Sequence, residues 1–131
     1  VNKEDIRGQI NKFKLFLNEK RGNKEASILD NSEIIKIIDG IKIRVIDHKR
    51  VSKLYPVWNE YLGSHHWGKE SLHIPKDEIW ISDKVLERDL DIVIEHEIIE
   101  RAIMRGLQKY KKMTPSESWE IAHYFTRDIG F

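Results

Sequence analysis

Glu33-Ile34-Ile35-Lys36-Ile37-Ile38-Asp39-Gly40-Ile41-Lys42-Ile43-Arg44-Val45-Ile46 is two β-branched runs around Asp-Gly. Asp-Gly tolerates the two positive φ angles of a type I′ turn, whose twist matches that of the strands it joins. The stretch therefore predicts a β-hairpin. In the second run Ile41, Ile43 and Val45 share one face, and Lys42 and Arg44 share the other. That alternation predicts one buried face and one wet face. Upstream, Ile6, Ile10, Phe13 and Leu17 recur at helical spacing, widened by Leu15 and Phe16. They predict an amphipathic helix over residues 3–20, stopped at Arg21-Gly22-Asn23, with residues 24–32 as a loop or irregular strand.

Downstream, residues 48–61 predict a short helix interrupted near Pro56, and residues 63–68 a polar and aromatic loop. Glu78-Ile79-Trp80-Ile81 reads as a third strand. Pro75 just before it points to a sheet edge or a strand beginning. A long helix is expected to start between Ser82 and Asp89 and to run to about Leu107. Thr114-Pro115-Ser116-Glu117 predicts the next helix start, with Thr as N-cap, Pro at the first helical position and Glu closing a capping box. That helix should end near Asp128. The expected fold is α+β: an N-terminal helix, a small mostly antiparallel sheet with a hairpin, and two packed C-terminal helices. At 131 residues the chain should form one domain over residues 1–131. Within it, residues 1–25 form the N-terminal helical region, 33–82 the sheet region and 83–131 the helices that carry the site.

There is no cysteine, so disulfides and thiolate metal sites are excluded and a metal must be held by His and carboxylate. No apolar stretch is long enough to cross a bilayer, which argues against a membrane partner. The charged start Val1-Asn2-Lys3-Glu4-Asp5 has no signal pattern, so a cytoplasmic location is expected. Residues 1–53 carry thirteen Lys/Arg against eight Asp/Glu. Nucleic-acid contact through this basic third is the lesser reading, and a solvated helix face the plainer one. Residues 77–100 carry nine Asp/Glu against two Lys/Arg, a surplus that favours a divalent cation nearby.

That acidic stretch contains His96-Glu97-Ile98-Ile99-Glu100. Residues four apart on a helix share a face, so His96 and Glu100 can reach one ion, with Glu97 beside them as general base. This is the arrangement of the H-E-x-x-H zinc helix with Glu100 in place of the second His. Ile92, His96, Ile99, Glu100, Ile103 and Leu107 are expected along the buried face. His123 lies on the following helix next to the small Ala122, where antiparallel packing can bring it to His96 and Glu100. The metal set expected from the residues is His96, Glu100 and His123. The alternatives are a His96–Glu100 pair that merely satisfies itself and a shifted helix phase that leaves both residues in water. His65, His66 and Trp80 are expected to contact substrate, and Arg101 to stabilise an oxyanion or to make a surface ion pair.

Residues 74–123 resemble small zincin-like metallohydrolases, and more closely a group of phage and prokaryotic proteins with no assigned activity. The resemblance rests on Glu78-Ile79-Trp80-Ile81, His96-Glu97-Ile98-Ile99-Glu100-Arg101, Met104-Arg105-Gly106-Leu107 and Ala122-His123, in that order. It implies a metal site at His96, Glu100 and His123 with Glu97 as base, and an edge strand beside the metal helix to hold an extended peptide. The expected activity is metal-dependent hydrolysis of a peptide or amide bond in a peptide or protein substrate. The cofactor would be a divalent ion, zinc first, with manganese, iron and nickel also suited to these donors. The ion would lower the pKa of a bound water to about 7, and Glu97 would take its proton. The rival readings are an inactive zincin-like binding module of a virus or mobile element, and a nucleic-acid-binding protein.

Overall fold

Asp39 and Gly40 take φ angles of 49° and 79°, so the turn between the first two strands has the left-handed backbone that type I′ requires. The computed structural model describes residues 32–127. The helix expected over residues 3–20, nearly all of the loop or irregular strand expected over 24–32, and most of the basic N-terminal third lie outside those residues. The hairpin joins β1 (Glu33–Ile38) to β2 (Ile41–Ile46), with Ile38 opposite Ile41 and a bulge between Ile34 and Lys36. Asp47 then caps α1 (His48–Leu54), accepting from Arg50 N at 3.2 Å. Pro56 opens a short 3-10 turn, Pro56–Glu60. β3 (Gly63–His65) and β4 (Glu78–Ser82) complete a four-stranded sheet in the order β1-β2-β4-β3.

The fold is α+β, and two of its three strand pairings are antiparallel. β2 and β4 run parallel, with Ile43 opposite Ile79 and Val45 opposite Ile81. β4 is consequently an interior strand, not the edge strand that the resemblance implies. Of the two readings of Pro75 it is the strand beginning that fits, since β4 starts at Glu78. All five of its residues are buried. The outer position belongs to β3, which pairs with β4 antiparallel. Residues 63–68 are thus not simply a loop, since their first three residues are a strand.

Side chains alternate across a strand, so β4 feeds two cores. Ile79 and Ile81 join Ile43, Val93 and Ile94 on one face. Trp80 joins Ile46, Val51, Trp58 and Ile74 on the other. The face of β2 that carries Arg44 is therefore partly covered: Ile46 is buried and Arg44 nearly so, while Lys42 stays half exposed. Arg44 Nε is held 2.6 Å from Glu78 Oε1, and Trp80 Nε1 donates to the same oxygen at 3.1 Å.

One helix closes the first face, and a second packs on that helix. α2 (Leu90–Tyr110) and α3 (Pro115–Thr126) pack against each other across a short connection. α3 begins with the expected capping box: Thr114 Oγ1 accepts from Glu117 N, and the Glu117 carboxylate accepts from Thr114 N, both at 3.1 Å. Ala122 is fully buried. The buried face of α2 is Val93, Ile94, Glu97, Glu100 and Met104. It is rotated from the expected one. Ile92 is 42% exposed, and Glu97 lies deeper than His96.

Candidate metal centre

Register decides what β3 offers. Gly63 stands opposite Ile81 and His65 opposite Ile79, so both share the sheet face covered by α2. The loop beyond β3 is tied down at several points. Gly68 N donates to His65 O at 3.0 Å, and Ser64 Oγ and Ser71 Oγ are 2.9 Å apart. The Gln108 amide donates to Trp67 O at 2.8 Å and to Ser118 Oγ at 3.0 Å, joining the loop to both helices. His65 is held rigidly and fully buried.

On α2, Glu97 and Glu100 are one turn apart and point at β3. His65 Nε2 lies 3.2 Å from Glu100 Oε1, and His96 Nε2 lies 3.1 Å from Glu100 Oε2. One ligand atom from each of His65, Glu97 and Glu100 lies within 4.8 Å of the others. All three residues are buried. Among the described residues, His65 Nδ1 and Glu97 Oε2 are buried without a hydrogen-bond partner. Buried polar atoms are rarely left so, because each costs about 1–3 kcal/mol.

The two carboxyls are shifted in opposite directions. Burial, and then the neighbouring Glu100 charge, push Glu97 well above its ordinary value. Burial also pushes Glu100 upward, but hydrogen bonds from His65 and His96, together with their charge, outweigh it and bring the carboxyl down to about 2. Two carboxylates this close cannot both ionise cheaply unless a cation shares the space. The His65-Glu97-Glu100 group is compatible with a divalent ion: it presents nitrogen and oxygen donors converging from a strand and a helix.

Glycine at position 63 makes room for Glu97. A Cβ there would meet Glu97 Cγ at 2.9 Å and Cδ at 3.1 Å, closer than carbon atoms pack. Gly63→Ala is expected to cost about 1–3 kcal/mol, the usual range for overpacking. It should also turn the Glu97 carboxyl away from Glu100. A lowered Tm, together with a metal affinity that falls more than the Tm shift explains, checks this.

No protein-family model, curated protein or solved structure matches the chain.

Glu97 and Glu100 line a cavity of about 400 Å³ together with His96, Tyr61, Trp119 and His123, while the fully buried His65 does not reach its wall. His123 is exposed and stacks on Trp119, with ring centroids 4.6 Å apart and planes 16° apart. It faces the same cavity as the expected ligands, but it is His65 that touches Glu100. The other residues expected at the substrate are placed elsewhere. Trp80 is buried between Trp58 and His73. His66 Nδ1 donates to Ile74 O at 2.8 Å. Arg101 Nη2 donates to Lys76 O at 2.8 Å, and its guanidinium lies 4.8 Å over Trp67. Neither His66 nor Arg101 lines the cavity. Tyr61 does, and burial followed by the Glu100 charge pushes its phenol upward, so it stays a hydrogen-bond donor.

Proposed function

We propose that the chain is a metal-dependent hydrolase that cleaves a peptide or other amide bond, in the manner of the zincin-like enzymes its C-terminal half resembles. One observation carries the reading. Two histidine nitrogens from different elements converge on the two oxygens of one buried carboxylate, beside a second buried carboxylate that opens on a cavity. Of the His65-Glu97-Glu100 group we assign His65 and Glu100 to the ion, joined by His96, which approaches the other Glu100 oxygen. This leaves Glu97 free to act as base. Zinc comes first by donor type, with manganese, iron or nickel also suited. A divalent ion so bound supplies Lewis acidity and makes a water nucleophilic near neutral pH.

Glu97 is the general base. Burial and the Glu100 charge favour its neutral form while the cluster lacks a cation, and nearby positive charge favours the ionised form that can accept a proton. Tyr61 can donate a hydrogen bond to an oxyanion in the cavity. Trp119 and His123 form the wall that a substrate side chain would meet.

The hydrogen bonds from His65 and His96 to Glu100 also satisfy one another without an ion. That favours a second reading, an inactive domain of the same architecture that serves as a binding module. Elemental analysis of gently purified protein separates the readings. The first expects about one divalent ion per chain and cleavage of a fluorogenic peptide library. An ion without cleavage supports the second reading. A chain that holds no ion, and takes none up from micromolar zinc or manganese, overturns the metal site.

A further inference from the structure

A second cavity, of about 580 Å³, is lined by Trp67, Lys76, Asp77, Arg101, Arg105, Gln108 and Lys109. It shares no lining residue with the first. Four cationic side chains surround it against one carboxylate, and that carboxylate is already engaged: Asp77 Oδ2 lies 3.3 Å from Lys42 Nζ. Among the described residues, no acid lies within ion-pair distance of Arg101 or Arg105. Both guanidinium groups lie over the same Trp67 ring, at 4.8 and 5.6 Å from its centroid. The ring gathers the two like charges without neutralising them. Arg101 spends Nη2 on the Lys76 carbonyl, and its Nε is buried with no acceptor. Burial, and then the Arg105 charge, pull Arg101 below its ordinary value. The Asp77 charge opposes them but does not outweigh them.

We propose that this cavity binds the phosphate group of a small ligand, seated between Arg101 and Arg105 and flanked by Lys76 and Lys109. Paired guanidinium groups match the geometry of phosphate oxygens. Four cations around one cavity suit a dianion better than a monocarboxylate. The site stands independently of the metal reading, since it uses none of those residues.

Isothermal titration of the full chain with inorganic phosphate tests it. Saturable binding at one site is expected, weakening as salt rises. Arg105→Gln and Lys76→Gln change exposed residues, so they should leave the fold intact. Losing a charge-assisted bond, Arg105→Gln should weaken binding by about tenfold. Lys49→Gln, on the exposed surface of α1, should leave it unchanged. Three results would overturn the proposal. The first is no saturable binding of millimolar phosphate. The second is binding that survives Arg105→Gln but disappears on chelation, which would place the phosphate at the metal cluster. The third is a short single-stranded oligonucleotide that binds tightly and is not displaced by phosphate, which would make this a nucleic-acid surface.

Discussion

Glu97→Gln is expected to abolish hydrolysis while the protein keeps its metal and its fold. Gln has almost the shape of Glu, so it fits beside Gly63, where a Cβ would come within 2.9 Å of the Glu97 side chain. It cannot accept a proton at neutral pH. Removing a general base costs about 10²–10⁴-fold in rate. The loss should fall on kcat and leave KM nearly unchanged, because the interaction is made in the transition state. Stopped assays on the peptide library, with metal content measured on the same samples, decide it. Retained activity would assign proton transfer to another group.

The same variant has a signature that needs no substrate. In chelator-treated protein, Glu97 has a raised folded-state pKa, so its contribution to stability is full below its ordinary value of 4.5. That contribution is lost as pH rises through the folded value. Glu100 has the opposite sign. Its folded value is about 2, so its contribution is present above 4.5 and lost as pH falls toward 2. For these two groups together, the metal-free protein should be most stable near pH 4.5. Glu97→Gln should remove the fall on the alkaline side and leave the acid side unchanged. Restoring the metal should shrink the alkaline fall in the wild type, because a cation favours ionised Glu97. Thermal denaturation across pH, with and without chelator, reads all three. An alkaline slope identical in wild type and Glu97→Gln would show that Glu97 is not held neutral.

What the sequence revealed follows from how local each signal is. The hairpin was legible because Asp39-Gly40 and the β-branched runs act over neighbouring residues, and the start of α3 because its capping box spans four. The helix carrying His96 and Glu100 was legible, but its rotation was not. An apolar residue at nearly every second or third position of α2 fits several faces. The one actually buried includes Glu97 and Glu100, which hydrophobicity alone would place in water. The interior place of β4 was hidden because a parallel pairing with β2 depends on a crossover, not on any local pattern. β3 was the least legible element. It has three residues, begins with Gly, and has no alternation long enough to register. The cluster divides in the same way: Glu97 and Glu100 lie on a helix the sequence marks, His65 lies on a strand read as a loop, and His123, expected beside Glu100, stacks on Trp119 instead.

That strand member carries the other large effect. His65→Ala is expected to remove the metal. From its place in a polar loop His65 would be dispensable, and His123 would supply the third donor. The structure buries His65 completely on β3 and places its Nε2 3.2 Å from Glu100. His123 stacks on Trp119 across the cavity. Loss of even an outer partner of a metal ligand typically costs 10–100-fold in affinity. Loss of a donor itself should exceed about 100-fold on that scale. The substitution also leaves Glu100 with one histidine instead of two, so in chelator the acid-side stability should weaken near pH 2–4.5, the range over which Glu100 titrates. His65→Gln keeps a hydrogen-bonding group of similar reach and should recover part of the stability without recovering the metal. His123→Ala separates the two geometries: if the ion rests on His65, His96 and Glu100, it should reduce turnover of bulky substrates and leave metal affinity within a few-fold. If metal binding instead survives His65→Ala and vanishes in His123→Ala, α3 supplies the third donor and His65 serves only to orient Glu100.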